Sequence, residues 1–287
     1  MAHGRDPVAD KAFLIALASF RDGRYTATST MDAVLLFSGQ GAQKVGMGKD
    51  LYDKYPTAKA LIEQADKALG ESLSSVMFEG PGEELTRTCN CQPALYVHGL
   101  ACLAVLKELL PALNPVAAAG LSLGEFTAHA AAGTYSFEEG LRLVQKRGAF
   151  MEEACNATKG TMAAMIGGSD ENVIKLAQEC DVDVANFNCP GQTVVSGTEE
   201  GVDKAIAGAK GAGCKIAKKL NVAGAYHSRL MHSAMVKLAE ELKNVSFGTP
   251  SMPVYCNYEA RVVEGPDDIR SMLEHQVCGS VRWTASM

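Results

Sequence analysis

The stretch "PVAAAGLSLGEFTAHAAAG", residues 115–133, decides how this chain folds. A short apolar run that is typical of a buried strand ends at Gly120, and a run of small helix-forming residues starts at Leu123. Between them stands Gly-x-Ser-x-Gly, the pattern of a sharp strand-to-helix turn that exposes its serine hydroxyl. Ser122 is therefore either a nucleophile at a helix N-terminus, which favours developing negative charge, or a small residue where a helix packs closely on a sheet.

The same alternation of strand and helix continues on both sides of this turn. Apolar runs bounded by turn residues predict buried strands, and a period of about 3.6 residues predicts the helices between them. Because strands that alternate with helices pair in parallel, the sequence predicts an α/β fold with a parallel sheet. The predicted strands are 33–37, 115–120 and 252–257, and the predicted helices are 56–69, 92–110, 123–132, 137–156, 228–242 and 266–277.

A second unit interrupts this pattern between residues 160 and 221. Its segments are predicted as strand, helix, strand, strand, helix, strand, which is the order of a ferredoxin-like subdomain. We therefore predict a core of residues 31–159 and 222–287, with the subdomain of residues 160–221 inserted in it. Residues 1–30 are expected to form an extension, either flexible or with a short helix, whose acidic residues disfavour a secretory signal or a transit peptide.

Composition narrows the function further. The 287 residues carry a net charge of −6, whereas a nucleic-acid partner requires a basic face, and no apolar run is long enough to predict a membrane span. The nine cysteines have no repeated spacing, and no second Cys or His pair completes a metal site beside Cys89 and Cys91. We expect reduced thiols, no metal and a cytoplasmic location, with organelle import as the alternative.

A nucleophilic serine needs a base, and the six histidines are the candidates. His227 lies in "NVAGAYHSRLMHSA", where a strand and a small-residue loop meet a helix, so its imidazole can point toward the carboxyl edge of the sheet. His232 lies inside the helix that follows. His98 and His129 lie within helices, where a surface or hydrogen-bonded histidine is the ordinary interpretation. The local sequence favours His227 without excluding the others.

Two further segments can complete a site around the serine. The turn "SGQGAQ" after the first strand brings backbone N–H groups to the same sheet edge, although a plain tight turn explains it equally well. The helix "LRLVQKRGAFMEEA" carries Arg142, Lys146 and Arg147, which are solvated cations unless one faces the pocket. An arginine in that position can bind a substrate carboxylate through two parallel hydrogen bonds.

Taken together, several segments in this order resemble the malonyl-CoA:acyl-carrier-protein transacylase family from about Met31 to the end of the chain. They are "LLFSGQGAQKVGMGKDLY", "CQPALYV", "GLSLGEFTA", "GLRLVQKRGAFMEEA", "NFNCPGQTVVSG", "GAYHSRLM" and "VRWTAS". The resemblance implies an α/β-hydrolase-like core with a ferredoxin-like insert, as the element pattern itself predicts. It also implies malonyl-CoA as donor and the phosphopantetheine thiol of acyl carrier protein as acceptor, with no bound cofactor.

The resemblance assigns roles to matching positions. Ser122 is the nucleophile that carries the malonyl ester, and His227 is the general base, then the general acid. A main-chain carbonyl orients this histidine in the family, and we place it on Gly279. Arg147 is expected to bind the malonyl carboxylate. The remaining implied site residues are the oxyanion-hole N–H groups of Gln40 and Leu123, and Gln92, which orders the site.

The chain departs from the family pattern at three points. Leu121 stands before the nucleophile where the family often has histidine, which leaves the turn intact and changes the local polarity. Ser38 replaces a common proline, a change that we expect to be mild. The chain ends just past "VRWTAS", where members of the family continue with a helix and a strand, so we expect a truncated core.

Two other functions use the same residues. An acyltransferase of polyketide assembly has the same catalytic set, and the free-standing length favours fatty-acid synthesis instead. A serine esterase needs an acidic third member of its triad, which the sequence does not place. A monomer that binds malonyl-CoA and acyl carrier protein, and neither nucleic acid nor membrane, is the expectation.

Overall fold

A computed structural model describes residues 30–287 of the chain. The predicted extension, apart from Thr30, lies outside the described residues. The strands are β1 (Met31–Phe37), β2 (Leu113–Gly120), β3 (Gly160–Ile166), β4 (Asp183–Cys189), β5 (Gln192–Thr198), β6 (Ile216–Lys219) and β7 (Val254–Tyr255). The helices are α1 (Lys49–Lys54), α2 (Pro56–Leu69), α3 (Leu73–Glu79), α4 (Gly82–Thr86), α5 (Thr88–Leu109), α6 (Leu123–Ala131), α7 (Phe137–Ala157), α8 (Asp170–Glu179), α9 (Glu199–Gly208), α10 (His232–Lys243), α11 (Pro266–His275) and α12 (Trp283–Ser286).

The core sheet has three parallel strands in the order β1-β2-β7. Phe37 pairs with Gly120, so β1 and β2 end at the same edge, and the chain turns there into α6. Helices α5, α6 and α7 pack on one another beside this sheet around one large apolar cluster. The predicted α/β fold with a parallel sheet is confirmed.

The second sheet is antiparallel, with the strand order β4-β5-β3-β6. The segments β3-α8-β4 and β5-α9-β6 are two β-α-β halves whose first strands lie side by side in the centre of the sheet. This is the ferredoxin-like arrangement that the order of elements predicts. Its own apolar cluster includes Met165, Val173 and Val202. The exact limits of the subdomain, 160 and 221, remain a prediction.

Helix α5 is long and apolar enough to cross a membrane by length and composition alone. Of its most apolar stretch 61% is buried within the protein, and the helix packs against α2 and α7. It is therefore the central helix of the core, which explains why apolar residues occur on all its faces.

The return from the subdomain differs from the predicted helix 228–242. A single 3-10 turn, Arg229–Met231, comes first, and α10 begins only at His232. The Ser228 hydroxyl accepts a hydrogen bond from the Leu230 N–H and donates one to the Ala225 carbonyl. This cap fixes the chain direction directly after His227.

Candidate active site

The turn between β2 and α6 is held by close backbone approaches. A Cβ on Gly120 would lie 1.9 Å from the Gly124 carbonyl carbon, and a Cβ on Gly124 would lie 2.2 Å from the Phe37 carbonyl oxygen. The two glycines are thus required by space, and the strained backbone falls on Ser122 itself, with φ 54° and ψ −106°. Strain of this kind, worth about 1–3 kcal/mol, concentrates at functional sites.

His227 lies beside the serine, as the local sequence favoured. Its Nε2 is 2.8 Å from the Ser122 Oγ, and its own φ is also 54°. The Nδ1 is 2.8 Å from the main-chain carbonyl of Gln276. Because a carbonyl only accepts, Nδ1 carries the proton and Nε2 is free to accept the serine proton. The measured hydrogen bond to Nδ1 therefore runs to Gln276, a carbonyl that the sequence did not single out, and the role of the Gly279 carbonyl stays a prediction.

The carbonyls of Gln276 and Gly279 lie on the same turn of the chain. Gln276 closes α11, where its carbonyl leaves the helix and faces the imidazole. The Gly279 carbonyl also contributes, because both carbonyls raise the pKa of His227. Burial and the neighbouring Arg147 cation outweigh them and lower that pKa to about 4. The imidazole is thus neutral at neutral pH, as a general base must be.

Arg147 is the single cation of its helix that faces the site. It is 1% exposed, whereas Arg142 and Lys146 lie at the surface in ion pairs with Glu138 and Glu241. Burial lowers the pKa of Arg147 to about 10, so the guanidinium remains charged at neutral pH.

Four contacts hold the guanidinium of Arg147. Its Nη1 donates to the Gln92 Oε1 at 2.7 Å, and its Nη2 donates to the Gln276 Oε1 at 2.8 Å and to the Ser122 Oγ at 3.1 Å. The guanidinium carbon lies 5.0 Å from the centre of the Phe126 ring. A buried cation is therefore fixed within hydrogen-bond reach of the nucleophile.

Three residues support this group that the sequence did not single out. Asn257 accepts the Ser122 N–H at 2.6 Å and donates to the Gly120 carbonyl at 2.8 Å, so it clamps both sides of the turn. The Gln276 side chain donates to the Ser122 carbonyl at 3.0 Å and to Glu125 at 2.6 Å. Glu125 is fully buried beneath them. The one sequence signal for this group is an acidic residue inside an otherwise apolar helix start, at Glu125.

The predicted oxyanion residues lie at the same place. Gln40 and Leu123 both line the cavity above Ser122, Gln40 on the loop after β1 and Leu123 as the first residue of α6. Tyr226, which precedes the histidine, lines the same cavity as Gln40. Leu121 lines the same cavity, and its carbonyl would lie 2.5 Å from a Cβ at Gly39, so the two turns touch.

The cavity has a volume of about 730 Å³ and opens between the core and the antiparallel sheet. Ser122, His227 and Gln92 form its floor on the core side. The opposite wall comes from the subdomain strands, and its lining residues include Met162, Asn186, Gln192 and Val194. A cavity of this volume is of the size of small-molecule binding sites.

Three of the other histidines within residues 30–287 lie apart from this arrangement. His98 is beside Cys102 on α5, His129 hydrogen-bonds Thr134 within the core, and His275 stacks on Tyr258. A strained serine and a neutral histidine line one cavity, and a buried arginine lies within hydrogen-bond reach of the serine, which is the arrangement of a serine enzyme that transfers acyl groups through a covalent intermediate. In agreement, a family model described as an acyl transferase domain matches residues 34–283.

Individual relatives narrow the class. The malonyl CoA-acyl carrier protein transacylase of Bacillus subtilis (strain 168) is 43% identical over 257 residues, which cover 88% of this chain and 80% of the relative. A polyketide biosynthesis malonyl CoA-acyl carrier protein transacylase of Bacillus velezensis is 40% identical over 257 residues, covering 88% of this chain and 86% of the relative.

Solved structures agree. An acyl-carrier-protein-S-malonyltransferase from Bartonella henselae superposes with a TM-score of 0.83 at 37% identity, covering 88% of this chain and 82% of that one. A malonyl-transacylase solved in complex with its type II polyketide acyl-carrier protein has a TM-score of 0.83 at 36% identity, with 87% and 82% covered. The chain belongs to the malonyl-CoA:acyl-carrier-protein transacylase family.

Proposed function

We propose that the chain transfers the malonyl group of malonyl-CoA to the phosphopantetheine thiol of acyl carrier protein, through a malonyl ester on Ser122. One observation supports this proposal above the others: the Ser122 Oγ lies 2.8 Å from the His227 Nε2 and 3.1 Å from the Arg147 Nη2. A nucleophile, its base and a cation for the distal carboxylate of a diacid therefore converge on one atom.

The first half-reaction makes the ester. Neutral His227 takes the proton of Ser122 as the Oγ attacks the thioester carbonyl. The N–H groups of Gln40 and Leu123 stabilise the oxyanion of the tetrahedral intermediate, with the dipole of α6 behind Leu123. The C–S bond then breaks, and His227 gives its proton to the departing CoA sulfur. The second half-reaction is the reverse, with the thiol of the carrier's phosphopantetheine arm as the attacking group.

Arg147 selects a diacid. Its buried guanidinium binds the free carboxylate of the malonyl group. The side-chain oxygens of Gln92 and Gln276 accept hydrogen bonds from the guanidinium and fix its position. Leaving an unpaired carboxylate in such a site costs several kcal/mol. Pocket size separates similar acyl groups by only about 1–3 kcal/mol. The preference for malonyl therefore rests on Arg147, and the shape of the cavity refines it.

A serine esterase is the less suitable alternative. The His227 Nδ1 bonds a neutral carbonyl, whereas the usual esterase triad places a carboxylate there to stabilise the imidazolium. The buried acid of this site, Glu125, instead bonds Gln276 and Asn257.

Transfer to a polyketide carrier is the second candidate for the pathway. A polyketide-named relative and the B. subtilis transacylase have nearly equal identity to this chain, 40% and 43%. Loading of holo carrier proteins of both kinds distinguishes the two, because the carrier, and not the catalytic set, differs between them. We further propose a cytoplasmic monomer without a bound cofactor, in keeping with an acidic chain whose cysteines are free in the described part.

Intact-mass analysis tests the proposed function. The protein mixed with malonyl-CoA gains one malonyl group, which is lost when holo carrier protein is added and appears on the carrier. Ser122→Ala abolishes the adduct, whereas Ser38→Ala, an exposed serine on the neighbouring loop, retains it. Rapid hydrolysis without transfer supports the esterase, and an adduct that persists in Ser122→Ala contradicts the proposal.

A further inference from the structure

One buried acid beneath the site has no part in the steps above. Glu125 lies on the first turn of α6 and is 0% exposed. Its Oε2 accepts the Asn257 N–H at 2.9 Å and the Gln276 Nε2 at 2.6 Å, while its Oε1 has no hydrogen-bond partner within residues 30–287. Burial raises the pKa of Glu125 to about 7, and the bonds from Gln276 and Asn257 oppose this rise. A buried carboxyl with an unpaired oxygen lowers the stability of the fold, so its presence here indicates a role for its remaining contacts.

Gln276 connects this acid to the reacting atoms. Its Nε2 donates to Glu125 and to the Ser122 carbonyl, its Oε1 accepts from Arg147, and its main-chain carbonyl accepts from His227. One residue thus contacts the nucleophile, the base and the carboxylate-binding cation. The three side-chain contacts, to Glu125, Ser122 and Arg147, depend on which way the amide points.

We propose that Glu125 is a positioning residue, which fixes the orientation of the Gln276 amide and through it holds the guanidinium of Arg147 in place for the malonyl carboxylate. The inference rests on the proposed function, because its readout is the preference for malonyl.

The chemistry of the amide explains why an acid is needed. The Oε2 of Glu125 can only accept where it faces Gln276, so it pairs with the amide NH₂ and rejects the amide oxygen. This leaves the Gln276 Oε1 directed at Arg147, an attractive contact between a carbonyl and a cation. A flipped amide would place oxygen against oxygen at Glu125 and NH₂ against guanidinium at Arg147. The Oε2 of Glu125 pairs with the amide NH₂ whether or not the distant Oε1 carries a proton.

A second contact couples the acid to the turn. Glu125 accepts the N–H of Asn257, and the side chain of Asn257 bonds both the Ser122 N–H and the Gly120 carbonyl. Loss of this contact affects the nucleophile for every acyl group alike. The Gln276 contact also reaches Arg147, and only a diacid has a carboxylate for Arg147 to bind. The ratio of malonyl to acetyl loading therefore separates the two effects.

The test compares Glu125→Ala and Glu125→Gln with the unchanged protein, using the rate of Ser122 acylation by malonyl-CoA and by acetyl-CoA. We expect Glu125→Ala to lower the malonyl-to-acetyl ratio about tenfold, as for loss of one hydrogen bond to a charged group. Glu125→Gln retains an acceptor for Gln276 but can also present its NH₂. We therefore expect its malonyl-to-acetyl ratio to lie between those of Glu125→Ala and the unchanged protein. If Glu125→Ala does not fold, Glu125→Gln must still lie below the unchanged protein.

A double-mutant cycle shows whether Glu125 acts through Gln276. In a Gln276→Ala background we expect Glu125→Gln to leave the ratio unchanged, because the amide that it orients is gone. Glu139→Ala is the matched control, since it removes the capping box at the start of the helix that carries Arg147. This control lowers the Tm and leaves the ratio as it was.

Three results overturn the inference. The first is an unchanged malonyl-to-acetyl ratio in both Glu125 variants. The second is a fall in this ratio for Glu125→Gln in the Gln276→Ala background that equals its fall in the unchanged protein. The third is a change of the ratio in Glu139→Ala as large as that in Glu125→Ala. Failure of the proposed function is separate, because the unchanged protein would then form no malonyl adduct at all.

Discussion

The two sides of the cavity are built differently. The core side is a buried network of charged and amide groups. In it Arg147 donates hydrogen bonds to the side-chain oxygens of Gln92, at 2.7 Å, and Gln276, at 2.8 Å. The subdomain side presents uncharged strand side chains, with apolar Met162 and Val194 beside the amides of Asn186 and Gln192. Fixed charges stabilise a specific transition state, whereas an uncharged strand face mainly defines space. We infer that the core side of the cavity selects the acyl group and carries out the reaction, and that the subdomain side sets the shape of the cavity.

The packing of β3 explains how the wall is kept separate from the interior of the subdomain. Met162 belongs to the large apolar cluster of the core, while Ala163 and Met165 belong to the cluster inside the subdomain. Alternate side chains of a strand point to opposite faces, so one strand serves both units. The subdomain can therefore change its cavity face without disturbing its own interior.

The largest expected effect is on the floor, at His227. We expect His227→Ala to slow formation of the malonyl adduct by about 10²–10⁴-fold, the usual contribution of a positioned general base. Stopped-flow or quenched mass analysis measures this rate. The same loss must occur for acetyl-CoA, because the base acts on the serine and not on the acyl group. A loss confined to malonyl would contradict its role.

Arg147→Ala comes next and must discriminate between acyl groups. Removing one partner of a buried ion pair costs about 3–5 kcal/mol, which corresponds to at least a hundredfold loss of malonyl loading. The acetyl group has no free carboxylate, so the rate of acetyl loading should change far less. Arg142→Ala, which removes a surface cation from the same helix, is the control and should change neither rate. Equal losses for both acyl groups would exclude Arg147 as the carboxylate-binding residue.

A substitution in the wall should act on stability instead. Met162 is 5% exposed, so we expect Met162→Ala to lower the free energy of unfolding by about 2–4 kcal/mol through lost packing. The malonyl-to-acetyl ratio should stay unchanged, since no charge is removed. Urea unfolding and the two loading rates measure these quantities. A large change in the ratio would show that the wall, too, selects the acyl group.

The last effect depends on pH and again separates the two sides. His129 is fully buried, and burial lowers its pKa to about 3, below the ordinary value of 6.5. The folded pKa is depressed, so this histidine stabilises the fold above pH 6.5 and loses that contribution as the pH falls toward 3. The expected loss is about 1.4 kcal/mol per pH unit.

Two measurements check this pH dependence. Urea unfolding between pH 7 and 4 should show a shallower decline in His129→Gln than in the unchanged protein. Residues 160–221 contain no histidine, so hydrogen exchange at low pH should rise in the core helix α6 before it rises in β5. Glu125 contributes with the opposite sign, because its raised pKa favours the fold at low pH and this contribution disappears as the pH rises through 7. A uniform rise in exchange over both units would contradict the assignment to the core.

Much of the fold was predictable because it follows from short-range patterns. The helix predicted for 56–69 is α2, and the strand and helix around Ser122 agree with β2 and α6 within a few residues. Less regular segments were not predictable in this way. The turn Arg229–Met231 arises from the cap at Ser228, and a helical period alone does not distinguish a 3-10 turn from the first turn of an α-helix.

The candidate site was predictable in part. Ser122 followed from its local pattern, and Arg147 was separated from Arg142 and Lys146 only by the family resemblance. The resemblance alone placed the carbonyl that orients His227 on Gly279, and the sequence did not reveal the second carbonyl, on Gln276, because any residue type offers a carbonyl.

By itself, then, the amino-acid sequence determined the order of strands and helices, the turn at Ser122 and the ferredoxin-like unit, because glycine spacing and apolar periodicity act over a few residues. Only the tertiary structure decided which polar groups meet. Ser122 lies 105 residues from His227 and 154 residues from Gln276 along the chain. Hydrogen bonds between such distant groups are set by how the helices pack on the sheet, and local sequence patterns carry no record of that packing.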